Sequence, residues 1–143
     1  MRWRHPVFAA LMPALFALAA TAEEAGISVR DAWVRETPPG MTMTAGYMVL
    51  QNKTSRPQVL VAASSSAFET VTIHRSVARQ GMTGMEHTPK IELLPNESLF
   101  FAPGGYHLML LNPKRILRAG DRVDIQLEFR GGLVLPVSYE VRK

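Results

Sequence analysis

Residues 122–129 read RVDIQLEF, and residues 133–141 read LVLPVSYEV after the turn formers Gly131-Gly132. Apolar and polar residues alternate along the first stretch, and side chains two positions apart on a β-strand share a face. The alternation predicts a strand with one buried face. The Gly-Gly pair predicts a turn that returns the chain as a second strand. This pair of strands indicates that the chain is a β-protein.

Short β-prone runs of the same kind recur along the chain between turn-forming residues. Besides the two above, the candidate strands are residues 27–35, 44–51, 59–63, 70–74, 91–94, 98–101 and 106–111. After residue 22 no stretch keeps a helical period for three turns, and only residues 64–70 fit a short helical turn. Eight or nine short strands predict an all-β fold, either an antiparallel β-sandwich or a small Greek-key barrel.

The first 22 residues are predicted to be a signal peptide. A start with two arginines precedes an apolar run at residues 6–20, and residues 20–22 (ATA) supply a small-x-small cleavage pattern. A membrane-spanning helix needs about 18 apolar residues, whereas this run is shorter and contains Pro13. We therefore expect export to the periplasm, no stable membrane insertion of the remaining chain, and one domain over residues 23–143.

The composition argues against several classes of function. Removal of the signal peptide leaves 14 basic residues against 12 acidic ones, a net charge of +2 instead of +4. Because these basic residues are scattered, we expect no nucleic-acid binding. The chain has no Cys, which excludes thiolate redox chemistry and the thiolate ligand of a blue-copper site. No nucleophile–base set or pair of carboxylates stands out, so we expect a binding protein and not an enzyme.

His and Met residues form two clusters in the sequence. His107 and Met109 stand two positions apart on a predicted strand, so their side chains share a face while Leu108 and Leu110 point into the core. Taken alone, this pair is also compatible with an ordinary half-exposed strand face.

The second cluster begins at His74, which closes a predicted strand with its side chain outward. The Gly-rich segment 80–87 (QGMTGMEH) follows and is predicted to be a turn or loop. Met82 and Met85 would then be exposed thioethers without apolar neighbours, and a role as soft metal ligands gives a reason for them.

The chemistry of these side chains favours one metal ion. Thioether sulfur is soft and uncharged, so it selects Cu(I) over hard cations, and neutral imidazole is compatible with that choice. This set of side chains is less suitable for zinc, because the usual ligands of zinc are Cys, His and carboxylate. Two Met and two His would hold Cu(I) less permanently than a thiolate cage, which suits a protein that passes the ion on.

The spacing of the two clusters is specific when they are taken together. His74, Met85, His107 and Met109 follow the pattern H-x10-M-x21-H-x-M, which resembles the metal-binding signature of the PCuAC family of periplasmic copper chaperones. The resemblance covers nearly all of residues 27–142. Its most similar segments are 31–35 (DAWVR), 37–40 (TPPG), 104–110 (GGYHLML) and 119–121 (AGD).

This resemblance implies a cupredoxin-like β-sandwich that binds Cu(I) at one edge through the four spaced residues. It also implies delivery of copper to an accepting protein, either a cytochrome oxidase subunit or another copper chaperone. Met82 and His87 are candidate auxiliary ligands, while Met41 and Met43 are interpreted as loop residues. Family members often carry further Met soon after the first His, and this chain does not, so the auxiliary set stays open. We expect a monomer.

Two other interpretations remain open at this point. The protein could be an exported structural or interaction β-sandwich, in which case substituting these residues would leave Cu(I) binding unaffected. It could also serve copper tolerance or storage, and no residue in the chain separates that task from oxidase assembly. The four-residue spacing favours the chaperone.

Overall fold

The computed structural model describes residues 26–143, and the predicted signal peptide at residues 1–22 lies outside them. The described residues contain no helix, so none of them belongs to an apolar helix long enough to cross a membrane. They form ten strands: β1 (Ile27–Arg35), β2 (Met43–Asn52), β3 (Gln58–Ser64), β4 (Phe68–Arg79), β5 (Met82–His87), β6 (Ile91–Leu93), β7 (Ser98–Phe101), β8 (Tyr106–Pro113), β9 (Arg122–Phe129) and β10 (Val134–Arg142).

The strands are hydrogen-bonded in the order β5-β4-β8-β7-β2-β1-β10-β9-β3-β6, and β8 also pairs with β2. Most neighbours are antiparallel; the exceptions are β1 with β10 and the single residue pair between β7 and β8. Buried side chains from both ends of this order meet in one hydrophobic core. The predicted all-β sandwich is confirmed.

The hairpin of β9 and β10 supplies much of that core. The four apolar side chains of β9, at positions 123, 125, 127 and 129, are each at most 3% exposed, as the alternation predicted. Burying a side chain of this size contributes about 1.5–3 kcal/mol. The turn between the strands contains Gly131 and Gly132, both at φ +96°, a conformation that glycine adopts without steric penalty.

The predicted number of strands is wrong, because β5 lies where a loop was expected. β4 continues five residues past its predicted end at residue 74, and β5 pairs with that extension. The register runs from His74 opposite His87 to Arg79 opposite Met82. The turn needs only residues 80–81. Because the exposed hairpin is formed by backbone pairing and has no buried face, hydrophobic alternation could not reveal it.

The helical turn expected at residues 64–70 is absent. In this segment β3 ends at residue 64, and a two-residue turn leads into β4.

Candidate metal-binding site

His74 and His107 lie directly opposite each other on the adjacent strands β4 and β8. The residues beside them, Ile73 and Leu108, are also paired and are 3% and 0% exposed in the core. Since successive side chains alternate between faces, both imidazoles project to the opposite face of the sheet. Their ring centroids are 5.9 Å apart and their planes differ by 22°. His107 is only 5% exposed, so it is buried and not on a half-exposed strand face.

Each of the two imidazoles has one ring nitrogen without a hydrogen-bond partner. Nδ1 of His107 donates to the carbonyl oxygen of Gly105 at 3.1 Å, which leaves a lone pair on Nε2. Nε2 of His74 shares a hydrogen bond with the Thr72 hydroxyl at 2.9 Å, which leaves Nδ1. Within residues 26–143 only three buried side-chain nitrogen or oxygen atoms lack a partner, and His74 Nδ1 and His107 Nε2 are two of them. A buried polar atom without a partner costs about 1–3 kcal/mol, which a bound metal ion would offset.

Two thioethers lie on the same face as the imidazoles. Met109 stands two residues beyond His107 on β8 and is paired with Thr72 on β4. Met85 on β5 is paired with Ser76, two residues beyond His74. Because alternate residues of paired strands share a face, the structure brings all four predicted ligands to one side of β5, β4 and β8.

An open cleft of about 400 Å³ lies over this face, and His107, Met109 and Met85 line it. Met41 and Met43 line it too, although the sequence analysis interpreted them as loop residues. Met43 begins β2 and Met41 precedes the strand, so two thioethers close together in the sequence were the one local signal for them. No Asp or Glu lines the cleft. His74 is beside His107 at the margin of the cleft and is not one of its lining residues.

The two candidate auxiliary ligands are placed differently. Met82 is 76% exposed at the turn end of β5, and its odd separation from Met85 puts it on the other face of the strand. His87 is exposed and lies opposite His74, with 5.5 Å between ring centroids, on the side away from β8. The structure therefore brings His87 near His74, and it keeps Met82 away from the cleft.

The surroundings of His74 favour its neutral form. Burial lowers the pKa of His74, and the positive charges that His107 and His87 would carry lower it further. Neutral imidazole is the form that binds a metal. Across residues 26–143 no three His, Cys, Asp or Glu side chains are grouped to hold a metal ion. The donors on this face are imidazole and thioether, and a donor set of this kind without carboxylate fits Cu(I).

Comparison with known proteins places these residues in a family. The family model described as "Putative lipoprotein LpqE-like" matches residues 27–141. The chain is 33% identical over 118 residues to "Putative lipoprotein Lxx21020" of Leifsonia xyli subsp. xyli, an alignment that covers 82% of this chain and 70% of that protein.

Solved structures share the fold. The solution structure of CuI-DR1885 from Deinococcus radiodurans is 33% identical, with a TM-score of 0.65, and the match covers 78% of this chain and 75% of that one. The copper-bound PCuAC domain from PmoF2 is 24% identical, with a TM-score of 0.69, over 82% of this chain and 92% of that one. At that identity the second likeness shows the β-sandwich fold alone.

Proposed function

Because the chain belongs to the LpqE-like family, which is the PCuAC family, we propose that it is a copper chaperone that binds one Cu(I) ion and passes it to a partner protein. In this proposal His74, Met85, His107 and Met109 are the ligands. Copper is the cargo of the protein, and we propose that the chain catalyses no reaction on it.

The observation that carries this proposal is the pair of unpartnered ring nitrogens on the cleft side of the sheet. Nδ1 of His74 and Nε2 of His107 are buried ring nitrogens without a hydrogen-bond partner on adjacent strands, with the thioethers of Met109 and Met85 on the same face. Thr72 and the Gly105 carbonyl occupy the other ring nitrogens, so they fix which atom of each ring is available. Thioether supplies soft, neutral donors for Cu(I), and neutral imidazole is compatible with them.

The shape of the site supports transfer more than storage. Met85 is 62% exposed and the cleft is open to solvent, so ligands of an acceptor can approach the ion while His107 still holds it from below. Without a thiolate, the site carries no permanent negative charge that would retain the cation. This arrangement favours exchange between proteins.

We propose that the protein works in the periplasm after removal of residues 1–22. The naming of a relative as a putative lipoprotein supports export. We propose as acceptor the copper centre of a cytochrome oxidase subunit, or another copper chaperone, on the basis of the family resemblance. Processing is checked by the mass and N-terminal sequence of the purified protein, which should begin at Glu23. Acceptance is checked by mixing the Cu(I)-loaded protein with the metal-free copper domain of an oxidase subunit and measuring copper in each after separation.

The binding proposal is tested by competition with a chromophoric Cu(I) chelator. Protein produced from the full-length sequence should withdraw one equivalent of Cu(I), whereas the double variant His107→Ala/Met109→Ala should withdraw far less. Met82→Leu is the matched control, because that thioether is outside the cleft, and it should bind as the native protein does. Circular dichroism must show that each variant is folded. If the native protein fails to compete for Cu(I), the chaperone proposal is wrong and an exported interaction β-sandwich becomes the better interpretation.

A further inference from the structure

Four of the six Met residues at positions 26–143 line one cleft: Met41, Met43, Met85 and Met109. The other two serve elsewhere. Met48 is 1% exposed in the core, where its sulfur accepts the Tyr139 hydroxyl at 2.8 Å, and Met82 is exposed on the opposite face of β5. Core packing accounts for Met48 alone. Core packing therefore does not explain why four thioethers lie together in the cleft.

Met41 and Met43 reach the cleft from the side opposite to Met85. In the strand order β8 lies between β4 and β2, with β5 beyond β4. His107 and Met109 on β8 thus form the middle of the cleft, with Met85 on the β5 side. Met43 begins β2 opposite Leu111 of β8, which places it diagonally beside Met109. Diagonal neighbours of this kind have Cα atoms about 7–8 Å apart, within reach of long side chains.

The thioethers differ in depth. Met109 is half-buried beside the buried His107, whereas Met43 and Met41 are 41% and 53% exposed. Apolar side chains that cluster at an open groove, unlike isolated exposed ones, mark a site of interaction. Leu or Val would shield the core from this position as well as Met, so packing alone gives no reason for sulfur at both sites.

The backbone holds these two residues in place. A turn from Pro38 to Met41 is closed by the Met41 amide, which donates to the Pro38 carbonyl at 3.0 Å, and Gly40 takes the required left-handed conformation at φ +78°. Next to it, the Thr44 hydroxyl donates to the Arg35 carbonyl at 2.6 Å. Two prolines in the turn restrict the backbone further. The pair is therefore presented on a constrained segment, which lowers the entropic cost of binding an ion.

We propose that Met41 and Met43 are additional Cu(I) ligands, which with Met109 form an outer thioether position through which the ion enters and leaves the inner His-containing site. This inference rests on the proposed function. Thioether exchange along such a row needs no proton transfer and no change of charge, since every donor is neutral. The outer position would keep the ion coordinated while an acceptor displaces the imidazoles.

The test uses protein produced from the full-length sequence with 13C-labelled Met methyl groups, titrated with Cu(I) without oxygen. When one equivalent of Cu(I) has been added, the methyl resonances of Met41 and Met43 should have shifted together with those of Met85 and Met109. The methyl resonances of Met48 and Met82 should stay where they were. Loss of outer-shell partners of metal ligands lowers affinity about 10–100-fold, and losing two ligands should cost at least the lower figure. The variant Met41→Leu/Met43→Leu should therefore bind Cu(I) about tenfold more weakly or worse, with Met82→Leu unchanged.

The outcomes separate this inference from the proposed function. If native protein binds Cu(I) while the Met41 and Met43 methyls stay unshifted and the double variant binds as tightly as native, the outer position does not exist and the chaperone proposal stands. If native protein binds no Cu(I), both the outer position and the chaperone proposal are wrong. Leu preserves the volume and apolarity of Met, so a folded double variant isolates the contribution of sulfur.

Discussion

The imidazoles of His74 and His107 lie opposite each other across adjacent strands, 5.9 Å between centroids and nearly parallel, and each keeps one buried nitrogen unpartnered. The hydrogen bond made by the other nitrogen fixes the orientation of each ring. The relationship is a consequence of strand register: a shift of one residue would turn one imidazole to the core face. Two donors prepared in this way lower the cost of organising a metal site on binding.

Single removal of either imidazole should weaken Cu(I) binding. We expect His107→Ala and His74→Ala each to lower the association constant by more than about tenfold, since loss of an outer-shell partner already costs that much. Competition with a chromophoric chelator measures the change. His107→Ala should leave the fold intact, because the imidazole projects to the face of the sheet opposite to the core side chains of Ile73 and Leu108. A folded variant with native affinity would remove that His from the ligand set.

The Thr72 hydroxyl should act as a positioning group for His74. It contacts Nε2 at 2.9 Å and has no direct role as a soft ligand. Thr72→Val keeps the shape of the side chain and removes this bond, so His74 would be free to rotate. We expect Cu(I) affinity to fall about 10–100-fold. Thr72→Ser keeps the hydroxyl and should restore most of the affinity, whereas a purely steric role would make Ser the worse of the two.

Cu(I) affinity and stability should both fall in acid. The pKa of His74 is lowered from 6.5 in the folded protein, by burial first and then by His107 and His87. The unfolded chain therefore takes up its proton at higher pH than the folded chain. The contribution of His74 to the free energy of unfolding is constant above about pH 6.5 and declines as the pH falls through the lowered value. Urea unfolding of metal-free protein at several pH values measures this decline.

His74→Gln is the control for that pH dependence, because glutamine keeps a polar side chain that does not titrate. The variant should lose part of the decline in unfolding free energy below about pH 6.5. An unchanged profile would assign the acid sensitivity to other groups. For the native protein, Cu(I) affinity should decline over the same range, since a protonated imidazole cannot ligate.

Stability of the domain away from the cleft should depend on Asn52. Its side chain is fully buried, donates to the carbonyls of Arg56 at 2.7 Å and Leu93 at 3.0 Å, and accepts from the Thr54 amide. Asn52→Ala leaves these groups unpaired, so we expect the free energy of unfolding to fall by about 2–3 kcal/mol. Lys53→Ala, an exposed neighbour, should change it by less than about 0.5 kcal/mol.

The same variant also separates stability from binding. Asn52 and Met43 stand at opposite ends of β2, about 30 Å apart at the rise of a strand. Folded Asn52→Ala protein should therefore bind Cu(I) with native affinity. A large loss of affinity in folded protein would show that the two ends of the sheet are coupled.

Local sequence was sufficient where one face of a strand is buried. The alternation in β9 predicted its core face correctly, and the i, i+2 placement of His107 and Met109 predicted their shared face. The same reasoning failed for β5, because an exposed hairpin has no buried face to produce a hydrophobic period. It also failed for Met41 and Met43, whose approach to Met109 depends on the pairing of β2 with β8.

By itself the sequence determined a β-sandwich and the spacing of two imidazoles and two thioethers, since both follow from side-chain chemistry and from the two-residue period of a strand. Only the tertiary structure decided that His107 is buried, that Met82 and Met85 face opposite ways, and that a second pair of thioethers borders the cleft. The burial of His107 and the approach of the second thioether pair depend on the register between strands far apart in sequence, and the facing of Met82 and Met85 depends on the pairing of β5 with β4. Register is fixed by packing and hydrogen bonding across the whole sheet, which no local pattern specifies.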